Sequence, residues 1–255
     1  MILMPKVKNL FFILFVCMVS QHTFADPLKS EVIQKGLESY LRSNTNELIE
    51  MHDTLVSGKR KDSQMEELDL QILFHEFLIS DLSSKKQKKK FSALCISKSN
   101  IAEEAEAYQA ELFALLSACY GFSAESNFFK AASHGIKSGK MMEKAIEANN
   151  KNPFVYLIKG IGDYTRPAFA GASKKNAKEN LSIVLNLLNE NTSNKDLLME
   201  SIAHFHMGNI AYLEKDNELS LEYLDKSLEF VPQYKRANDL KMKITRKQKF
   251  YRKVY

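Results

Sequence analysis

The sequence predicts an all-α chain arranged as an array of antiparallel helix pairs, an α-solenoid of about ten to eleven helices. Three observations predict it. Apolar residues recur at three- and four-residue spacings along nearly the whole chain, and no segment alternates apolar and polar residues as a half-buried strand would. Only nine Gly and five Pro punctuate 255 residues, too few for a turn-dense all-β architecture. The connections between periodic segments are short, so successive helices fold back on one another. A 45% apolar content supplies a continuous core and excludes whole-chain disorder.

Residues 1–25 read as a signal peptide and are set apart from the fold. Lys6 and Lys8 form a basic start, Leu10 to Val19 is an apolar run, and Thr23-Phe24-Ala25 offers small residues for cleavage before Asp26. The run is short of the roughly 20 residues that span a bilayer. Cys17 raises the alternative of a lipoprotein, but Val16 stands where that class carries a small residue. The expectation is an exported protein, periplasmic or secreted.

The mature chain then divides into an N-terminal helical pair (26–61), a helical array (62–232) and a basic C-terminal helix or tail (233–255). Val32, Ile33, Leu37, Tyr40 and Leu41 mark the first helix. Leu48, Ile49, Met51, Leu55 and Val56 mark the second, closed by Gly58. Met65 to Leu78 carries a third that ends near Asp81. Ser83 or Ser84 caps a fourth, which buries Phe91, Leu94 and Cys95. Ile101, Ala105, Tyr108, Leu112, Leu115 and Cys119 form one further stripe, with Gly121 as its stop. Ser123 to His134 is irregular, and helix resumes from Ser138 to Ala148. Later helices are expected at about 153–165, 174–190, 195–215, 217–230 and 233–249.

One stretch is patterned beyond simple periodicity. Ser201 to Pro232 reads SIAHFHMGNIAYLEKDNELSLEYLDKSLEFVP, which resembles a tetratricopeptide repeat, a helix–turn–helix unit of about 34 residues. The resemblance puts Gly208 where two helices cross closely, Ser220 and Ser227 at the small positions of the second helix, Leu224 at its large one and Pro232 at the boundary. His204 and Ala211 depart from the family's aromatic positions. A second unit starts at Asn152-Pro153, with Tyr156 and Gly160 on its first helix and Ala177 and Leu181 on its second. Five extra residues in the loop 165–172 make it similar to a variant of exported envelope repeat proteins. Lys140 to Pro153, with Ala145, looks like the second helix of a preceding unit.

The resemblance implies a concave groove lined by first helices, at Phe154, Leu157, Ile161 and Tyr164, then Ile202, Phe205, Asn209 and Tyr212. The basic clamp of chaperone-tail binders is missing, since Phe154, Ile158, Ile202 and His206 hold its positions. Such a groove suits an apolar peptide, an amphipathic helix or a lipid-like ligand. The same residues would equally serve to pack another helix of the array.

No catalytic or cofactor motif stands out. His52, His75, His134, His204 and His206 lack the i, i+4 spacing of a helical zinc pair, and His75-Glu76 lacks its second His. No phosphate loop or nucleophile elbow appears. No enzyme activity, cofactor or metal is expected. Asn180 and Asn191 match a glycosylation pattern that matters only in a eukaryotic secretory pathway.

Charge is unevenly distributed. The full chain carries +5, and losing Lys6 and Lys8 leaves +3. Residues 235–255 alone carry +8, including Lys243, Arg246, Lys247, Lys249, Arg252 and Lys253, so residues 26–234 sum to −5. A second basic run spans Lys85 to Lys90. These runs read as solvated helix faces or as contacts to anionic lipid or an acidic envelope partner, and nucleic acid is not expected.

The two remaining cysteines are expected as buried free thiols. With a hairpin turning near Asn100, Cys95 and Cys119 would lie roughly 20 Å apart along the axis, against the roughly 7 Å that a disulfide spans. The functional expectation is an exported repeat scaffold that binds a protein or peptide and performs no catalysis. The alternatives are a ligand-binding accessory similar to the repeat-built component of tripartite transporters, and a module attached to a membrane surface by its basic tail.

Overall fold

A computed structural model describes residues 30–58, 65–190 and 196–254. The signal-peptide and lipoprotein readings, the Asn191 motif and the side chains of Lys249, Arg252 and Lys253 lie outside the described residues.

Among the described residues the fold is all-α, a helical-repeat solenoid of twelve α-helices. In chain order they are α1 (Glu31–Leu41), α2 (Thr45–Ser57), α3 (Met65–Leu82), α4 (Lys85–Ile96), α5 (Ser99–Glu104), α6 (Gln109–Ser126), α7 (Ala131–Ala148), α8 (Pro153–Thr165), α9 (Lys174–Glu190), α10 (Leu197–Leu213), α11 (Asn217–Phe230) and α12 (Lys235–Val254). No described helix is long and apolar enough to cross a membrane.

Side-chain caps set many of the starts, each accepting from a backbone N–H that the helix leaves unsatisfied. Ser30 caps α1, Asn44 caps α2, Asp196 caps α10 and Asp216 caps α11. At α8, Asn152 caps and Pro153 follows, where its missing N–H costs nothing. Ser84 sits at the start of α4 but makes no side-chain cap bond. Gly58 follows α2 as its C-cap.

From α6 onward the helices pack as successive antiparallel pairs, α6 with α7, α8 with α9 and α10 with α11, and α12 packs on α11. Small residues bring the axes together. A Cβ on Gly160 would stand 2.9 Å from Leu181 Cγ and 3.3 Å from the Ala177 carbonyl oxygen. One unit later, a Cβ on Gly208 would stand 3.1 Å from Leu224 Cγ and 3.1 Å from the Ser220 carbonyl oxygen. Serines also stand at these crossings, and their hydroxyls are bonded. Ser201 and Ser227 each donate to the other's carbonyl at 2.8 Å, and Ser220 donates to the Gly208 carbonyl at 2.8 Å. The same reciprocal exchange joins Ser117 of α6 to Ser138 of α7, both at 2.8 Å. Pro232 lies between α11 and α12.

Helix α3 differs from its neighbours. Every residue from Asp69 to Ser80 is buried, so it has no solvent face, the pattern of a helix enclosed on all sides. It packs on α1, α2, α4 and α6, and its Phe74 ring lies 5.8 Å from that of Phe154 in α8.

The stripe from Ile101 to Cys119 is two helices. The chain leaves α5 at Ala105 and turns through Tyr108 in the left-handed region (φ 57°) before α6 begins. Nor does Gly121 stop α6, which runs on to Ser126 because no bond of the helix ladder depends on a side chain there. The irregular stretch shrinks to a single 3-10 turn, Phe128–Lys130, with α7 already under way at Ala131.

The free-thiol expectation is overturned for the same reason. Cys95 and Cys119 form a disulfide with a Cα separation of 6.2 Å. The link between α4 and α6 is no tight hairpin at Asn100. Its twelve residues, 97–108, run on past the end of α4, so α6 starts well beyond that end and passes Cys119 back alongside Cys95. Lys88 reaching Glu125 at 2.9 Å fixes the same register.

Candidate functional site

The groove residues are brought together, but as interior. Phe154, Leu157, Ile202 and Phe205 are buried, while Ile161, Tyr164, Asn209 and Tyr212 are half-buried. Their cover is the chain itself. Phe74 of α3 meets Phe154, and Tyr234, just before α12, meets Phe205 with ring centroids 4.9 Å apart. The half-buried four leave a rim between α8, α10 and α12, where Lys243 Nζ stands 5.1 Å from the Tyr212 ring. Of the basic tail residues, Lys243, Arg246 and Lys247 are exposed. Gly160, Ala177, Leu181, Gly208, Ser220, Leu224 and Ser227 are all placed at helix–helix contacts.

Against the groove sits a polar cluster drawn from distant parts of the chain. Tyr40 of α1 donates its hydroxyl proton to Asp81 Oδ2 at 2.7 Å. Arg236 of α12 donates to the same Asp81 oxygen at 2.8 Å and to the Tyr40 hydroxyl at 2.8 Å. The guanidinium lies 5.0 Å from the Phe205 ring centroid, within cation–π range. Burial by itself would raise the Asp81 carboxyl, but the Arg236 charge and the Tyr40 hydrogen bond outweigh it and hold it below the usual carboxylate range.

Beside this latch, Tyr164 and His206 meet at 2.6 Å through the hydroxyl and Nδ1, and Asn209 Nδ2 donates to the Tyr164 hydroxyl at 3.1 Å. Burial, reinforced by the Arg236 charge, pushes the His206 imidazole down to about 3, so it is neutral. A neutral ring whose Nδ1 accepts from Tyr164 carries its proton on Nε2, and that atom has no hydrogen-bond partner. Burial pushes the Tyr164 phenol up to about 12. The cluster therefore holds one ion pair and otherwise neutral groups.

A second cluster joins α2, α3 and the end of α4. The fully buried Glu76 accepts from His52 Nε2 at 3.2 Å and from Lys98 Nζ at 2.5 Å, both on Oε1. Its Oε2 has no hydrogen-bond partner. Burial acts to lower His52, but hydrogen bonds to Glu76 and Asp53 prevail and raise it. His75 points away, its Nδ1 donating to the Gln71 carbonyl at 2.8 Å, and burial lowers it. No group of three or more metal-ligating side chains forms among the described residues. His204 and His206 face opposite ways: His204 stacks on Phe230 with centroids 5.9 Å apart.

Local periodicity carries no trace of either cluster, because their members are remote in sequence. One signal was available for the latch. Asp81 stands in the last turn of α3, where the macrodipole disfavours a carboxylate, so a cation had to be near. Two surface hollows, at Glu214–Glu218 and at Asn238–Arg246, are open to solvent, and neither is an enclosed apolar chamber.

No protein-family model matches the chain, and comparison with curated proteins returns no match.

Proposed function

We propose that the protein is an exported, tetratricopeptide-like scaffold that binds a protein partner in the cell envelope and performs no catalysis. The observation that carries this reading is the recurrence of one small-against-large contact, Gly160 on Leu181 and Gly208 on Leu224, in consecutive helix pairs. Arrays registered in this way present extended, rigid surfaces, and such surfaces recognise partner chains. Export is supported by the basic and apolar pattern of residues 1–25 and by the Cys95–Cys119 disulfide, which persists in an oxidising compartment.

With Phe154, Leu157, Ile202 and Phe205 covered from within, the surface left to a partner is the rim of Ile161, Asn209 and Tyr212 with Lys243 beside it. Its mixed apolar and basic character suits an acidic, amphipathic segment. The transport-accessory alternative needs an enclosed apolar cavity, which neither of these two open hollows supplies.

The test is photo-crosslinking in cells. A photoreactive residue is placed at position 161 or 212, and at 179 or 222 on the second helices as controls. A discrete protein adduct from the rim positions alone is expected. Adducts from neither set, or equally from both, overturn the reading.

A further inference from the structure

The most exposed aromatic side chains of the described fold lie far from the groove, in the turn between α6 and α7. Phe128 is 88% exposed and Phe129 96%, and Ile136 in the second turn of α7 is 64% exposed. The geometry of the turn explains this. Helix α6 ends at Asn127 in extended backbone, a single 3-10 turn follows, and α7 starts at Ala131. Two adjacent rings in so tight a reversal have no core within reach, and they contact each other edge to face at 6.0 Å. Solvating two Phe rings and an Ile is a standing cost, so their exposure calls for an apolar destination.

What surrounds them is cationic. The antiparallel register of α4 and α6, fixed by the Cys95–Cys119 bond and the Lys88–Glu125 ion pair, brings the N-terminus of α4 to the same end of the molecule as this turn. That terminus carries Lys85, Lys86, Lys88, Lys89 and Lys90, and the turn and the start of α7 add Lys130, Lys137 and Lys140. Neither 83–100 nor 126–142 contains an Asp or Glu. Except for Lys88, which is half-buried and bound to Glu125, all of these lysines are exposed.

We propose that this end docks on an anionic lipid surface, with Phe128 and Phe129 inserted at the headgroup boundary and the lysines of α4 and α7 lying over the lipid phosphates. The rings project from a turn and line no groove, so they need a medium that yields around them, as a bilayer interface does. The lysines supply the charge complementarity for anionic headgroups, each strengthening attachment while it lies within a Debye length of the surface. Apolar insertion joined to a polybasic patch is the two-signal combination that makes peripheral binding stable. The attachment site is thus distinct from the basic tail.

The test is co-sedimentation of the protein, purified from an exporting host, with phosphatidylcholine vesicles lacking or containing phosphatidylglycerol. Binding to the anionic vesicles alone, weakened by added salt, is expected. The double variant Phe128→Ser with Phe129→Ser should lose roughly tenfold or more in affinity, and the triple variant Lys85→Gln, Lys86→Gln, Lys89→Gln should lose the preference for anionic lipid. All five side chains are exposed, and an unchanged circular dichroism spectrum verifies each fold. No vesicle binding, or binding indifferent to the Phe pair, overturns the proposal. So does retention of a single-stranded oligonucleotide in place of vesicles, or a Phe-dependent dimer in sedimentation velocity, either of which assigns the surface elsewhere.

Discussion

One close helix approach in the array can be tested by adding one methyl group. In Gly160→Ala the new Cβ would lie 2.9 Å from Leu181 Cγ, 3.2 Å from Leu181 Cδ2 and 3.3 Å from the Ala177 carbonyl oxygen, where ordinary contact begins near 3.4 Å. Two opposed effects decide the sign. Alanine gains about 1 kcal/mol over glycine in a helix interior. Overpacking a filled core costs about 1–3 kcal/mol. Here the obstructing atoms are a branch carbon of a fully buried leucine and a backbone oxygen, neither of which is a free end, so the steric cost prevails. A net loss centred on about 1 kcal/mol follows, or a fall of roughly 2–4 °C in Tm for a chain of this size. Gly139 is the internal control. It lies within α7, and a Cβ there would have no neighbour within 4 Å. Gly139→Ala keeps the propensity gain without the clash and should raise stability by about 0.5–1 kcal/mol. Urea and thermal unfolding followed by circular dichroism measure both. In a Leu181→Ala background Gly160→Ala should cost less than it does alone, as contacting residues couple. If Gly160→Ala is as stable as the parent, or if both alanines shift stability in the same direction, the close-approach argument fails.

Three further outcomes can be checked on the same purified protein. Arg236→Met leaves Asp81 with Tyr40 alone, and because the Arg236 and Asp81 side chains keep 31% and 19% exposure, the loss should be about 2–3 kcal/mol, below that of a fully buried pair. A change under about 0.5 kcal/mol in urea unfolding would show that the latch contributes little to stability. Reducing the Cys95–Cys119 bond, which closes a segment of sequence separation 24, should cost about 3 kcal/mol in the chain-entropy picture, and Cys95→Ser should make stability insensitive to reductant. Stability should also fall as pH drops from His206's ordinary 6.5 towards its folded value of about 3, by up to about 1.4 kcal/mol per pH unit, because folding excludes a proton that the unfolded chain accepts. Asp81, also lowered, adds an acid loss at the bottom of that range, and His75 and His134, lowered as well, add to the upper part. His52, raised, works the other way, since its stabilisation is complete below 6.5 and is lost as pH rises through its folded value. His206→Gln should flatten the slope between about pH 6 and 4, and an unchanged slope would refute the assignment.

Much of α8 to α11 is legible in the sequence because local chemistry decides it. Asn152-Pro153, Asp196 and Asp216 mark helix starts, and Gly160 and Gly208 mark crossings, where Leu181 and Leu224 meet them. The break at Tyr108 is invisible for the opposite reason. Ile101, Ala105 and Tyr108 continue the helical spacing across it, and nothing short of the backbone's left-handed turn at a tyrosine reveals two helices. The disulfide follows from that error, since a misplaced turn misplaces everything opposite it. The cover over Phe154 and Phe205 is not legible, because α3 shows no stripe from which its neighbours can be inferred. Phe128 and Phe129 stand in the one stretch without periodicity, where a dipeptide of large apolar residues is itself the signal.

The latch alters how the chain must assemble. Open repeat arrays are quasi-one-dimensional: each unit touches only its neighbours, and order spreads from any starting point. Here Arg236 bonds Tyr40 across a separation of 196 residues, so the last helix cannot take its native seat until the first has taken its own. Loop-closure entropy is then met in one late step, whose cost grows only slowly with the length enclosed. A ring joined in this way should melt as one cooperative body rather than fray from its ends. Removing α12 should loosen α1, at the other end of the sequence, more than it loosens α9.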